Sequence, residues 1–160
     1  MCIRDSKYSI HGVLLNISGF GILIKGKSGI GKSECAAELL NKGAQLVADD
    51  LVLVDNRKNK ILGYAPENIK NLIEIRGIGI INVKNVFGYS SILDESSINL
   101  IVDLIEFNKE NKYERLGYDT KEEEILGIKI PNIEIPVSPG RNISTLIEIA
   151  VKKLNSEGKL

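Results

Sequence analysis

The residues Gly19–Asp50 constrain this chain more than any other stretch. An apolar run, Ile22-Leu23-Ile24, feeds a glycine-rich turn, Gly26-Lys27-Ser28-Gly29-Ile30-Gly31, which closes on Lys32-Ser33 and opens a helical pattern. This is G-x-x-x-x-G-K-S with a strand before it and a helix after it, the context in which the motif binds phosphate. Glycines let the backbone adopt positive φ and approach an anion closely, so that successive N–H groups converge on phosphate oxygens. The following helix adds the positive end of its dipole at the same point. In such a loop Lys32 reaches the β- and γ-phosphates and the Ser33 hydroxyl takes a place on Mg²⁺.

Length and charge narrow the setting. A chain of 160 residues suits one domain with a real core. Its 21 basic residues balance 21 acidic ones, so no overall field recruits nucleic acid or an anionic membrane, and partners must be chosen locally. Cys2 and Cys35 lack metal-ligand spacing and the chain has one His, which argues against structural zinc. No apolar stretch approaches a membrane span and Met1–Ser6 has no signal-peptide core, so a reducing cytoplasm is expected. Those first six residues have no pattern that assigns them to the fold.

Patterning along the chain predicts a single α/β domain over 7–155 with a mixed sheet. Tyr8–Ile17 is rich in β-formers and turns at Asn16–Gly19 into the strand that enters the glycine loop. Lys32–Lys42 places Cys35, Ala36, Leu39 and Leu40 on one helical face, with Gly43 just past its end. Gln45–Ala48 is a short buried strand, and Leu51–Val54 continues the extended run to a turn at Asp55–Lys60. Pro66-Glu67 opens a helix that reaches about Leu72. Ser97–Phe107 alternates as one strand around Ile98, Leu100, Val102 and Leu104. Pro131 breaks Ile125–Val137 into two short strands or an edge hairpin. Asn142 or Ser144 caps a last helix with a stripe of Ile143, Leu146, Ile147, Ala150, Val151 and Leu154.

Two further segments carry charge into apolar surroundings. Asp49-Asp50 ends the strand Leu46–Ala48 and supplies the strand-borne acid that a magnesium nucleotide site needs. Adjacent side chains at a strand end project oppositely, so one faces the metal while the other faces the acceptor. In Ile73–Asn82, Glu74 and Arg76 stand amid isoleucines and glycines. They are either functional or an ion pair on an exposed strand face. Arg115 lies in a charged, turn-rich run and reads, by itself, as a solvated side chain.

Taken in order, His11-Gly12-Val13, GKSGIGKSE, LVADD, IEIRGIGIINVKNVFG, YERLG and IPVSPGRN resemble the catalytic domain of HPr kinase/phosphorylase from about Tyr8 to Lys153. The IEIRGIGIIN block is much more specific than the glycine loop. The resemblance implies a nucleotide fold similar to the phosphoenolpyruvate carboxykinases, and no H-R-D or D-F-G signature of eukaryotic protein kinases occurs here. It implies a bifunctional enzyme that phosphorylates a serine of the phosphocarrier HPr with ATP or pyrophosphate, and removes that phosphate by phosphorolysis to give pyrophosphate. It carries over Gly26–Ser33 as the nucleotide loop, Lys32, His11, Asp50 and Arg115 as catalytic residues, and Ser33 with Glu74 as magnesium ligands. Asp49 joins these two as the strand-borne acid. Ile73–Asn82 matches the segment used in both directions and Pro136–Arg141 the one used chiefly in dephosphorylation. Ser138 stands where the family usually has a basic residue. The family's N-terminal regulatory domain would precede His11 and is expected to be absent, in a truncated chain or a short form. Longer members assemble as hexamers, so a homo-oligomer is a further expectation. Two other readings compete: a small-molecule phosphotransferase of carboxykinase-like fold, and a nucleotide-binding module without catalysis.

Overall fold

The computed structural model of the chain describes residues 7–106 and 121–160. In chain order the strands are β1 (Lys7–His11), β2 (Val13–Ile17), β3 (Phe20–Lys25), β4 (Gln45–Ala48), β5 (Leu51–Arg57), β6 (Lys60–Tyr64), β7 (Leu72–Ile75), β8 (Gly79–Asn82), β9 (Glu95–Ser97), β10 (Leu100–Glu106), β11 (Lys121–Ile125) and β12 (Ile128–Val137). The helices are α1 (Lys32–Asn41), α2 (Val83–Phe87) and α3 (Ile143–Ser156). A six-stranded sheet has the order β11-β12-β10-β3-β2-β4, a four-stranded sheet the order β1-β5-β6-β9, and β7 pairs with β8. The larger sheet is mixed: β10 runs parallel to β3 and β12, and the other pairs are antiparallel.

Period-two alternation sends the side chains of this sheet into two cores. Leu15, Ile22, Ile24, Val102 and Leu104 meet Ala36, Leu39 and Leu40 of α1 and Ile147, Val151 and Leu154 of α3. Leu14, Leu23 and Ile101 face the other way, against Val52, Val54 and Ile61 of the smaller sheet. The six-stranded sheet is thus the middle layer. A central parallel strand buried on both faces needs apolar residues at every position, which is why Leu100, Ile101 and Val102 are all fully buried.

Several expectations hold. The hairpin into the loop is β2–β3, with Ile17 opposite Phe20, but its first arm starts only at Val13, because the Tyr8–Ile17 run divides at Gly12 between the two sheets. Helix α1 buries Cys35, Ala36, Leu39 and Leu40, and Gly43 follows it at φ 100°. Asn142 caps α3 by accepting the Thr145 N–H at 3.1 Å.

Others do not. Leu51–Val54 does not continue β4: Asp50 sits at φ 72°, and the chain leaves the larger sheet there for the smaller one. β5 then extends to Arg57, so the turn is Lys58-Asn59 rather than Asp55–Lys60. The helix expected from Pro66 is only a 3₁₀ turn, Glu67–Ile69, because Asn71 at φ 67° turns the chain into β7. The run Ser97–Phe107 is two strands in different sheets, divided at Ile98-Asn99, where the Asn99 side chain accepts the Gly21 N–H at 2.8 Å; Phe107 lies outside the described residues. β12 is unbroken and sits second from the sheet edge, between β11 and β10. Its ladder with β10 starts at Asn132, one residue past Pro131, so the missing N–H does not fall on that ladder.

The chain passes between the two sheets at Gly12 and again at Asp49-Asp50. The two crossings abut, with the Gly12 N–H donating to the Asp50 carbonyl at 3.2 Å. Glycine is required at the first, since a Cβ there would lie 2.6 Å from the Ile24 carbonyl oxygen.

Candidate active site

An open cleft of 580 Å³ lies between the glycine loop, Asp49-Asp50 and the β7–β8 hairpin. The loop leaves the C-terminal end of β3 beside parallel β10, the edge at which open α/β sheets place ligands. A Cβ at Gly26 would meet the Leu104 carbonyl oxygen at 3.0 Å and Ile30 at 2.9 Å, so only glycine lets the loop lie this close to β10. Gly31, at φ 110°, begins α1 without a side-chain cap, which leaves the first N–H groups of the helix for an incoming acceptor. Ser28, Gly29, Gly31, Lys32 and Ser33 line the cleft. The Lys32 ammonium folds onto the loop, donating to the Gly26 carbonyl at 2.6 Å and the Lys27 carbonyl at 3.0 Å. Lys27 pairs with Glu106 at the exposed rim.

The two aspartates part, although both lie beyond the end of β4 and Asp50 sits at φ 72° rather than in a strand. Asp49 is buried and accepts from Ser33 Oγ at 3.2 Å and from the Glu74 N–H at 3.1 Å. Burial pushes its carboxyl above the usual aspartate range, opposed by the hydrogen bonds from Glu74 and Ser33. This one carboxylate therefore joins the loop's serine to the hairpin. Asp50 is exposed at the cleft wall. His11, also exposed, stands beside it, because His11 pairs with Leu51 across β1–β5.

The hairpin buries Ile73 and sends Glu74 and Arg76 to the cleft. Among the described residues these two do not pair with each other, so the ion-pair reading of this strand face fails. Arg76, marked in the sequence only as a charge amid isoleucines and glycines, lines the cleft. Arg115 lies outside the described residues. Pro136–Arg141 is a strand end and a turn, closed by the Arg141 N–H on the Ser138 carbonyl at 3.2 Å, and does not line the cleft. Cys35 is a core thiol, pushed up to about 12 by burial and by Glu38.

The cleft holds hard oxygen donors: the Ser33 hydroxyl, the Asp49 carboxylate and the exposed Glu74. No group of three or more His, Cys, Asp or Glu side chains is gathered to hold a metal among the described residues. Magnesium asks less than that, since it uses one or two carboxylates and completes its octahedron with water and phosphate. Two oxygen ligands of such an ion stand about 3 Å apart, and the 3.2 Å between Ser33 Oγ and Asp49 Oδ1 suits this. No helix among the described residues is long and apolar enough to cross a membrane.

Comparison with known proteins agrees with this geometry. The family model described as HPr Serine kinase C-terminal domain matches residues 5–159. The HPr kinase/phosphorylase of Alkaliphilus metalliredigens is 50% identical over 145 residues, covering 90% of this chain and 47% of the relative. That of Geobacter sulfurreducens is 48% identical over 144 residues, covering 89% and 45%. The solved structure titled Hpr(Ser) kinase/phosphatase from Coxiella burnetii superposes with a TM-score of 0.84 at 34% identity, covering 94% of this chain and 93% of that one. The chain spans about half the length of the curated relatives it matches. It belongs to the HPr serine kinase C-terminal domain family.

Proposed function

We propose that this chain is the phosphoryl-transfer domain, over 7–155, of a bifunctional serine kinase/phosphorylase acting on the phosphocarrier HPr in the cytoplasm. The observation that carries the reading is the bridge from Ser33 through Asp49 to Glu74, which locks a glycine loop of phosphate-binding type to an acidic hairpin beside a second, exposed aspartate. A pure nucleotide binder has no use for that second acid. The core would be of the phosphoenolpyruvate carboxykinase type.

In the forward direction the loop N–H groups and Lys32 hold the phosphates of ATP or pyrophosphate. Asp50 accepts the proton of the target serine as its oxygen attacks the terminal phosphorus, and ADP or orthophosphate leaves. In reverse, an orthophosphate oxygen attacks phosphoserine, the serine O–P bond breaks, Asp50 returns the proton to the serine oxygen, and pyrophosphate is released. Microscopic reversibility gives one carboxyl both tasks. His11 contributes a polar contact beside Asp50, and Arg115 charge stabilisation of the transferring group. Ser33, Asp49 and Glu74 would hold Mg²⁺, which when bound neutralises charge on the phosphate oxygens. A homo-oligomer, hexameric in longer members, is part of this reading.

The test is incubation with Mg²⁺, ATP and HPr, mass spectrometry for serine phosphate on HPr, then addition of orthophosphate and assay for pyrophosphate. Phosphorylation followed by pyrophosphate release is expected. Nucleotide binding with inert HPr would refute it, leaving a small-molecule phosphotransferase if another acceptor turns over and a binding module if none does.

A further inference from the structure

Two cations line the cleft, Lys32 and Arg76, and one of them has no partner among the described residues. Among the described residues Arg76 makes no hydrogen bond or ion pair, although Glu74 stands two residues away on the same hairpin. Its position is nevertheless fixed by its neighbours. The Ile78 N–H closes the turn on the Ile75 carbonyl at 3.0 Å, and the Glu74 N–H donates to Asp49 Oδ2 at 3.1 Å. Asp49 also accepts from Ser33 at 3.2 Å, so the hairpin is registered against the first turn of α1. This register sets the guanidinium over the glycine loop: a Cβ built on Gly29 would lie 3.4 Å from Arg76 Nη2. Two cations therefore serve one loop, Lys32 against its carbonyls and Arg76 over Gly29. An arginine has a planar fork of donors and no acceptor, and its strongest partners are carboxylate and phosphate oxygens. No carboxylate of the described residues lies within ion-pair distance of it, and the loop beneath it is of the phosphate-binding type.

We propose that Arg76 is a substrate-binding residue that closes the phosphate cradle from the hairpin side, donating to the outer oxygens of the polyphosphate end held by the loop. This rests on the reading of Gly26–Ser33 as a phosphate site. It gives the hairpin a direct task in both reaction directions, since the same phosphoryl oxygens face it whether the group is leaving the donor or returning to it. Glycine at position 29 is favoured by its own φ of 83°, and its missing side chain leaves the space beside the guanidinium open.

The experiment is calorimetric titration of inorganic pyrophosphate with Mg²⁺, without any acceptor protein, into the wild type, Arg76→Gln, Arg76→Lys and Lys32→Ala. Charge-assisted bonds of this kind predict a tenfold or greater weakening in Arg76→Gln. Arg76→Lys should recover part of it, as a point charge replaces a fork. The salt dependence of binding should be shallower in Arg76→Gln than in the wild type. The unfolding temperature should not move, because the side chain is exposed and unpartnered. Wild-type pyrophosphate affinity in Arg76→Gln overturns the proposal, as does unchanged pyrophosphate affinity with a raised KM for the protein acceptor. If Lys32→Ala loses binding while Arg76→Gln keeps it, only the role of Arg76 falls. If the wild type binds no pyrophosphate, the phosphate-site reading falls and takes the proposal with it.

Discussion

Replacing Asp50 by Asn separates the chemistry of the site from its architecture. Asp50 holds φ 72° at the crossing between the two sheets, where its carbonyl accepts the Gly12 N–H at 3.2 Å. Asn is isosteric and tolerates the left-handed region as well as Asp does, and no described residue donates to the exposed carboxylate. The fold should therefore change by no more than about 0.5 kcal/mol, a shift of roughly 1–2 °C in Tm for a chain of this size. Removing a general base costs about 10²–10⁴ in rate, or about 3–5 kcal/mol of transition-state stabilisation. The catalytic effect exceeds the structural one several-fold, and both directions should lose it together. Ala would be a poorer probe, because a β-carbon without a polar tip in this backbone region adds strain of about 1 kcal/mol. The assay follows serine phosphate on HPr and pyrophosphate release by the full chain, with nucleotide affinity measured alongside. Turnover within threefold of the wild type would remove Asp50 from the mechanism. Loss of nucleotide affinity in step with turnover would show that it binds the donor instead.

Other predictions concern its neighbours. Because burial raises the Asp49 carboxyl, the folded state holds that proton more tightly than the unfolded chain does. The stability it contributes is full below the ordinary value of 3.8 and is lost as pH rises through the folded one. Urea titrations should therefore show wild type losing stability relative to Asp49→Asn as pH rises from about 4 toward neutrality, and a constant gap would refute the assignment. Gly26→Ala forces a Cβ against the Leu104 carbonyl, 3.0 Å away on a central strand, and should cost about 1–3 kcal/mol in unfolding free energy together with pyrophosphate affinity. Cys35 should resist alkylation at pH 8 in the folded chain and react once it is unfolded in urea. Ser138→Arg should raise the phosphorolysis rate more than the kinase rate, and an equal effect on both would count against a role for that segment in the reverse direction.

The elements legible in the sequence were those whose signal is local. The β2–β3 hairpin, α1 with Gly43 behind it, and α3 with its Asn142 cap follow from turn residues, apolar periodicity and capping chemistry within a few positions of one another. The misread elements depended on which sheet a strand joined. Ser97 and Leu100 look like one strand because both are extended, yet the Asn99 side chain turns the chain by binding the Gly21 N–H, 78 residues away in sequence. Pro131 looks like a strand breaker because its lost N–H matters only where a ladder needs it, and the ladder with β10 begins one residue later. At Asp50 a positive φ on a non-glycine residue carries no sequence mark, so β4 and β5 read as one run.

The same crossing explains how much of the site could be read. Strand alternation leads to the expectation that Asp49 and Asp50 part; they do, but beyond the end of β4 and with Asp50 at φ 72° rather than extended. What alternation could not supply was the other half of Asp49's environment. Its second oxygen is taken by the backbone N–H of Glu74, a contact that depends on the hairpin folding over the end of β4 and not on any side chain of the hairpin. A main-chain donor is invisible to residue-type reasoning, because every non-proline residue has one. The consequence reaches Arg76, whose place over Gly29 is set two residues downstream of that bond. The residues proposed to carry the chemistry were therefore recognisable by type, whereas the register of the hairpin against the loop depends on one buried carboxylate. A buried carboxylate with two donors and a raised pKa is costly to keep unless the ionised form is put to use. That cost is the physical reason to look for function at Asp49 rather than at the better-solvated acids elsewhere on the surface.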